Sequence, residues 1–281
     1  MKALYDVCAP AKLNLFLHVT GRREDGYHLL QSAFMLINWC DTLHFDLRQD
    51  GTISREDTSV PLPAEDLIVR AARALQKAGQ TSLGAHIVID KQIPTQAGMG
   101  GGSSDAASTL LALNRLWKLG LPLSRLMEIG LTLGADVPFF LQGHNAWVEG
   151  VGEKITPINL PKAQFVVTKP PDGLETARIF AHPELKRDTA TAIISGFAVN
   201  PYGFGRNDLQ SVAMRLCPGV SEGLAWLASM GLQGRMTGSG SAVFAHVDAN
   251  TVPAHPNGPA GFETRWCSNL QEHPLAGWAG Q

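Results

Sequence analysis

Hydrophobic and polar positions alternate through the N-terminal stretch that follows Pro10. Leu13, Leu15, Leu17 and Val19 fall on one side, and Lys12, Asn14, Phe16 and His18 on the other. That is the two-residue period of a β-strand. Residues 21–28 read as a turn, 29–37 are apolar, and 41–47 alternate again through Leu43, Phe45 and Leu47, so successive antiparallel strands are expected. The period then changes. In "AEDLIVRAARALQKAG", Leu67, Ala71, Ala74 and Leu75 share a helical face, and Gly79 stands where a C-terminal cap belongs. A strand from Ala85 carries Ile87 and Ile89 on one side, and a glycine-rich loop follows it. Helices are predicted over 108–119, with Leu110, Leu113 and Trp117 in phase and Gly120 closing it, and over 124–133, ended by Gly134.

A strand-like "NAWVEG" comes next, and near residues 160–164 the pattern starts afresh. "QFVVTKP" reads as a strand, "NDLQSVAMRL" and "VSEGLAWLASMG" as helices, and "GRMTGSGSAVFAHV" as strand, glycine loop, strand. The tail from Val252 is rich in Pro and Gly but carries two Trp, and partial order is expected there. This sequence of elements suggests an α+β fold with mixed sheets rather than a doubly wound parallel sheet. A length of 281 residues suggests two domains, divided as 1–160 and 161–281.

Composition narrows the classes. Hydrophobic residues make up 44% and charged residues 17%, an ordinary globular mixture. A net charge of −2 gives no basic field for nucleic acid. No apolar run is long enough to span a bilayer, and the N-terminus lacks the apolar core and cleavage site of a signal peptide, so a cytoplasmic protein is expected. Cys8, Cys40, Cys217 and Cys267 lie far apart without a CxxC pair and read as buried free thiols. The histidines are scattered, with no metal-ligand spacing.

The glycine loop carries the chemistry. "PTQAGMGGGSSDAAS", residues 94–108, packs glycines at 98, 100, 101 and 102 before a helix. As a dinucleotide fingerprint it is a poor match: Gly98-x-Gly100-x-x-Ser103 lacks the third glycine, no ribose-binding acid follows in "WKLGLP", and the βαβ context is missing, so a Rossmann oxidoreductase is a remote alternative. As a P-loop it fails, because no lysine stands between Lys91 and Lys118. What remains is a phosphate cradle of another kind. Glycines let backbone N–H groups converge, the helix N-terminus adds partial positive charge, and Ser103 and Ser104 add hydroxyls at the mouth. A plain packing turn is the competing reading.

"PTQAGMGGGSSDAA" resembles the second motif of the GHMP kinases, small-molecule kinases named for galactose, homoserine, mevalonate and phosphomevalonate. "APAKLNLFLHV" resembles the first motif and "GRMTGSGSAVFA" the third, in order and across nearly the whole chain. "PAKLNLFLHVTGRREDGYHLLQS", "GADVPFFLQGHNAWVEGVGE", "ETARIFAHPEL" and "NDLQSVAMRLCPGV" resemble the branch that phosphorylates the 2-hydroxyl of a cytidyl diphosphate alditol with ATP, on the non-mevalonate route to isoprenoid precursors. The resemblance implies an N-terminal domain like ribosomal protein S5 domain 2, a ferredoxin-like C-terminal domain and an active site in the cleft between them. It also implies Mg2+ with the nucleotide, held mostly by phosphates and water, and a monomer or weak homodimer.

The resemblance assigns roles. Lys12 and Asp136 match the catalytic pair, Asp136 taking the hydroxyl proton and Lys12 keeping it ionised and stabilising charge on the transferring phosphoryl. ATP is expected on Pro94, Thr95, Gln96, Ala97, Gly98, Met99, Gly100, Gly101, Gly102, Ser103 and Ser104, with Gly238, Ser239, Gly240 and Ser241 of the third motif close by. Tyr27 and Phe180 match the aromatic pair that stacks on cytosine, His28 the group that reads its edge, and Asn14 and Thr176 polar substrate contacts. Read without the resemblance, Asp136 is a turn residue before Pro138, Lys12 a surface lysine on an edge strand, and Tyr27, His28 and Phe180 core aromatics and a turn histidine. Another alcohol such as homoserine or mevalonate, or a non-catalytic nucleotide-binding module, is the alternative. The "GYH" and "TARIF" stretches argue against the first, and the retention of Lys12 with Asp136 against the second.

Overall fold

The computed structural model describes residues 1–248 and 256–280. The chain opens with two long strands, β1 (Ala3–Arg22) and β2 (His28–Arg48), paired antiparallel as a hairpin. The sequence pattern suggested a break near residue 40; instead β2 is continuous, because bulges let one strand bend without ending. One edge of β2 carries β1. The other edge carries β4 (Gly84–Asp90) along residues 42–48 and β5 (Ala146–Gly150) along residues 30–34. Between those stretches the backbone of Leu36 is satisfied by Asn145 Oδ1, 2.8 Å from its N–H, and by the N–H of Leu270, 2.8 Å from its carbonyl. β3 (Ile53–Asp57) lies parallel to β4, and β6 (Lys154–Pro157) closes the far edge beside β5.

Helices cover one face of this sheet: α1 (Leu67–Ala78), α2 (Gly101–Leu116), α3 (Leu123–Leu133) and the short α4 (Val137–Gln142). Asp66 caps α1 by accepting the Val69 N–H at 3.1 Å, a contact worth about 1 kcal/mol, and Gly79 ends it. Their apolar faces, Leu75, Leu110 and Leu113 among them, form one core with Phe45, Ile87 and Ile89.

The second sheet runs β10-β7-β9-β8, all antiparallel: β7 (Gln164–Lys169), β8 (Arg235–Met236), β9 (Val243–Val247) and β10 (Glu263–Ser268). Four helices belong to this part: α5 (Thr176–Ala181), α6 (Ile194–Val199), α7 (Gln210–Leu216) and α8 (Pro218–Ser229). Val212, Val220 and Leu227 from α7 and α8 pack against Val166, Val243 and Ala245. The sheet shares a further core with the first: Leu13, Leu15 and Phe16 pack with Phe165, Val167 and Phe244. β1 is therefore buried on both faces, which is why both of its alternating sets tolerate little exposure. Leu15 and its chain neighbour Phe16 join the same core, because a register shift between Asn14 and Leu17 breaks the two-residue period.

Three expectations are corrected here. The tail was expected to be only partly ordered, yet beyond residues 249–255, which lie outside the described residues, it is built throughout residues 256–280. β10 pairs with β7 over its whole length. The chain then returns to the first sheet, where His273 donates its N–H to the Gly143 carbonyl at 2.7 Å and Leu275 is buried in the helical core. The glycines there hid an edge strand, which needs only one neighbour and short alternation. The thiols were all expected free, but Cys8 and Cys40 form a disulfide, leaving Cys217 and Cys267 free and buried. Antiparallel pairing sets Pro10 opposite Cys40 and Cys8 opposite Thr42, so residues far apart in sequence become diagonal neighbours. Finally, α2 begins at Gly101, not at residue 108, so the last glycines of the loop are helical.

Candidate active site

Between the two sheets lies a cleft of about 1320 Å³. Most of the residues singled out from sequence line it: Lys12 and Asn14 from β1, Tyr27 and His28 at the start of β2, residues 94–103, Asp136, Thr176 and Phe180 on α5, and Gly238, Ser239 and Gly240. Two do not. Ser104 and Ser241 are fully buried. Because α2 starts early, Ser104 turns into the core with its hydroxyl unpartnered, rather than standing at the mouth beside Ser103. Ser241 donates to the Asp172 carbonyl at 2.6 Å and anchors its loop from behind.

The loop proper spans residues 94–100 and ends on the cap of α2. Gly100 there has φ 72° and no side chain to offer the helix, so no side chain caps the first turn of α2. The N–H groups of an uncapped helical first turn have no partner within the helix and form an anion site with the helix dipole. The cap favours glycine: its φ of 72° is one that side chains rarely adopt, and a Cβ on Gly100 would sit tightly, 3.0 Å from the Phe140 ring and 3.3 Å from Lys12 Cε. The second and third glycine motifs dock on each other. Ser241 N–H donates to the Gln96 carbonyl at 3.0 Å, and Ala242 N–H to the Ala97 carbonyl at 3.3 Å.

Lys12 Nζ lies 3.6 Å from Asp136 Oδ2. The lysine is buried, also donates to Asn14 Oδ1, and sits 4.7 Å from the centre of the Phe34 ring. Burial pulls its pKa below the ordinary lysine range, and Asp136 pulls it back up. Asp136 is the N-cap residue of α4 but makes no capping hydrogen bond, which leaves its carboxylate for the cleft; its side chain is 32% exposed. Asn14 is held on both sides: its Nδ2 donates to Ser32 Oγ at 2.9 Å, and its backbone N–H donates to Thr237 Oγ1 at 2.9 Å. Thr237 in turn reaches the Gly98 carbonyl at 3.3 Å, so one hydroxyl links β1 with both glycine loops.

Beneath the cradle lies a charge cluster that the sequence reading missed. Lys91 donates to Asp41 and, at 2.8 Å, to Asp105, and all three side chains are buried. Asp41 also accepts the backbone N–H groups of Gln92 and Ile93, the latter at 2.7 Å, which pins the chain where it enters the loop. Burial pushes the Asp105 carboxyl up to about 8, with Lys91 opposing and Asp41 adding to the rise. Burial lowers the Lys91 pKa as well, but the two carboxylates outweigh it and hold it above its ordinary value. Lys91 and Asp105 flank the glycine run in sequence, but their neighbours Asp90, Gln92, Ser103 and Ser104 are polar, so no local pattern marked the cluster as buried.

At the other end of the cleft the His28 and Phe180 rings lie 4.9 Å apart at 34°. Thr176 Oγ1 and Ser239 Oγ are 2.7 Å apart, tying α5 to the third glycine loop. Tyr27 is 65% exposed at the rim.

Comparison with known proteins gives this arrangement a context. Residues 66–144 match the model of the GHMP kinases N terminal domain, and residues 194–254 that of the GHMP kinases C terminal domain. Over 281 aligned residues the chain is 69% identical to the 4-diphosphocytidyl-2-C-methyl-D-erythritol kinase of Albidiferax ferrireducens, covering 99% of this chain and 96% of that protein. It is 65% identical to the enzyme of the same name from Polaromonas sp. strain JS666, covering 99% and 95%. Among solved structures, a 4-(cytidine 5'-diphospho)-2C-methyl-D-erythritol kinase superposes with a TM-score of 0.77 at 33% identity, over 93% of this chain and 98% of that one. Methanococcus jannaschii mevalonate kinase shares the fold, with a TM-score of 0.68 at 15% identity over 95% and 98%.

Proposed function

Because this chain belongs to the GHMP kinase family, we propose that it transfers the γ-phosphoryl group of ATP to the 2-hydroxyl of 4-diphosphocytidyl-2-C-methyl-D-erythritol. One observation carries the reading. A single cleft joins an uncapped helix N-terminus, a Lys12–Asp136 pair 3.6 Å apart, and a His28–Phe180 ring pair. The first suits a triphosphate, the second phosphoryl transfer to an alcohol, and the third a flat base.

The triphosphate rests on residues 94–103, its charge met by the free N–H groups of the first turn of α2. Asp136 accepts the proton of the attacking hydroxyl, and Lys12 offers a desolvated positive charge to the phosphoryl oxygens as it moves. Asn14 keeps Lys12 on the reacting side of β1. Tyr27, Phe180 and His28 bind the cytosine, and Thr176 and Ser239 close that end of the cleft.

Among the described residues no group of three His, Cys, Asp or Glu is placed to hold a metal. Magnesium bound with the nucleotide would be held by its phosphates and water, with the oxygens of Ser103 and Asp136 within the same cleft to complete its shell. It supplies neutralisation of phosphate charge.

Every residue assigned a role above comes from one chain, and a monomer or weak homodimer is our reading. A net charge of −2 offers nucleic acid no field, and among the described residues no helix is long and apolar enough to cross a membrane. A cytoplasmic enzyme remains our reading. An ATP-consumption assay of the purified protein with the cytidyl alditol, homoserine and mevalonate tests the proposal. Turnover of the first alone is expected; turnover of either other alcohol in its place overturns it.

A further inference from the structure

Arg187 lies in the loop beyond α5 and reaches back to the start of β2. Its Nε–H donates to His28 Nε2 at 3.0 Å. Its two terminal nitrogens donate to the carbonyls of Leu185, Phe180 and His182, each at 2.9 Å. A guanidinium has N–H donors and no acceptor, so the ring nitrogen that meets it must offer a lone pair. Burial, with the nearby charges of Arg187 and Arg22, also lowers the His28 pKa, which keeps the ring neutral at physiological pH. A neutral imidazole whose Nε2 accepts carries its hydrogen on Nδ1.

His28 lines the cleft, and with Nε2 occupied the ring nitrogen left for a ligand is Nδ1. We infer that Arg187 is a positioning residue that fixes His28 as an Nδ1–H donor, and that this tautomer selects a cytosine over a uracil. The inference rests on the cytidyl reading given above. The chemistry of the two bases supplies the choice. Cytosine presents an unprotonated ring nitrogen and a carbonyl on its pairing edge, both acceptors. Uracil presents an N–H at the same ring position, which would meet the His28 N–H donor to donor. A polar group left unpaired in a closed site is what penalises the wrong ligand. The same guanidinium clamps the Phe180 carbonyl, so the stacking ring and the edge-reading ring are set by one side chain.

Two measurements on the full-length enzyme test this. Long-range proton–nitrogen NMR on histidine-labelled, substrate-free protein reads the His28 tautomer, with His28→Gln assigning the signal. Steady-state kinetics with the cytidyl substrate and its uridyl analogue reads selectivity. Wild type should show Nε2 unprotonated. Arg187→Leu should release the ring into mixed tautomers and cut the cytidyl-to-uridyl ratio of kcat/KM by about ten- to a hundredfold, with the loss falling on KM for the cytidyl substrate. Arg187→Lys, which still donates, should keep the tautomer and part of the ratio. A wild-type His28 protonated on Nε2 overturns the inference even if Arg187→Leu does not fold. So does an Arg187→Leu enzyme with unchanged tautomer and ratio. If wild type shows the expected tautomer but no preference for cytidyl, the functional reading falls, and the selectivity half of this inference with it.

Discussion

Gly98 and Gly238 meet backbone to backbone where the second and third glycine motifs touch. A Cβ on Gly98 would stand 2.3 Å from the Thr237 carbonyl oxygen, and one on Gly238 would stand 2.6 Å from the Gly98 carbonyl oxygen. Both residues also have positive φ, 70° and 53°. The two loops can therefore close on each other only where side chains are absent, and the shape of the phosphate cradle depends on that closure. Gly98→Ala is expected to weaken ATP binding by about tenfold or more, since a clash of about 1–3 kcal/mol must be relieved by parting the loops. Calorimetric titration with ATP reads this directly; an unchanged Kd would place the cradle elsewhere.

The Lys12–Asp136 pair predicts a separation of binding from chemistry. Asp136→Asn should lower kcat by about 10²-fold or more while ATP affinity changes little, because the carboxylate acts on the hydroxyl and not on the nucleotide. Near-normal turnover by the folded variant removes Asp136 from the mechanism.

Neighbouring glycines of α2 should respond differently. A Cβ on Gly101 would press on Ile93 and Lys91, each 3.0 Å away, whereas on Gly102 it would meet only Leu67, at an ordinary 3.5 Å. Gly101→Val should therefore lower the Tm by several degrees as well as weakening ATP binding. Gly102→Ala should keep the Tm and lose ATP affinity alone, its methyl facing the cleft. Thermal melts with and without ATP distinguish the two, and equal Tm values for both variants would contradict the packing argument.

Asp105 makes stability depend on pH. Its carboxyl is pushed up to about 8 by burial, above an ordinary value of about 3.9. The folded protein thus keeps a proton that the unfolded chain gives up, and stability falls as pH rises between those two values. The contribution is fully present below the lower value and lost once pH passes the upper. Asp105→Asn cannot titrate, so its Tm should exceed that of wild type by a few degrees more at about pH 8 than at about pH 5. Parallel Tm profiles for the two proteins would show that Asp105 does not hold that proton.

Much of this molecule is written in short-range spacing. The alternation through Leu13 to Val19, the helical phase of Leu67, Ala71 and Leu75, and the clustered glycines before α2 each report a local conformation, because backbone geometry repeats every two or every 3.6 residues whatever lies around it. The three motifs in order, two of them glycine-rich, were enough to name a family, and the stretches around "GYH", "GADVPFF" and "TARIF" pointed to Tyr27, His28, Asp136 and Phe180 beside Lys12; that the His28 and Phe180 rings lie together came only from the fold. Tertiary structure decided the rest. Gly101 and Gly102 read locally as loop, since glycine is a poor helix former, yet both are helical in the first turn of α2, and Ile93 and Lys91 crowd the position of a Cβ at Gly101. Lys91 is 50 residues from Asp41 and 14 from Asp105, and His28 is 159 from Arg187. No spacing rule joins such positions. They meet because β2 pairs with β1, β4 and β5 in fixed register and because α5 folds back over the cleft, and register is set by the whole set of buried faces at once.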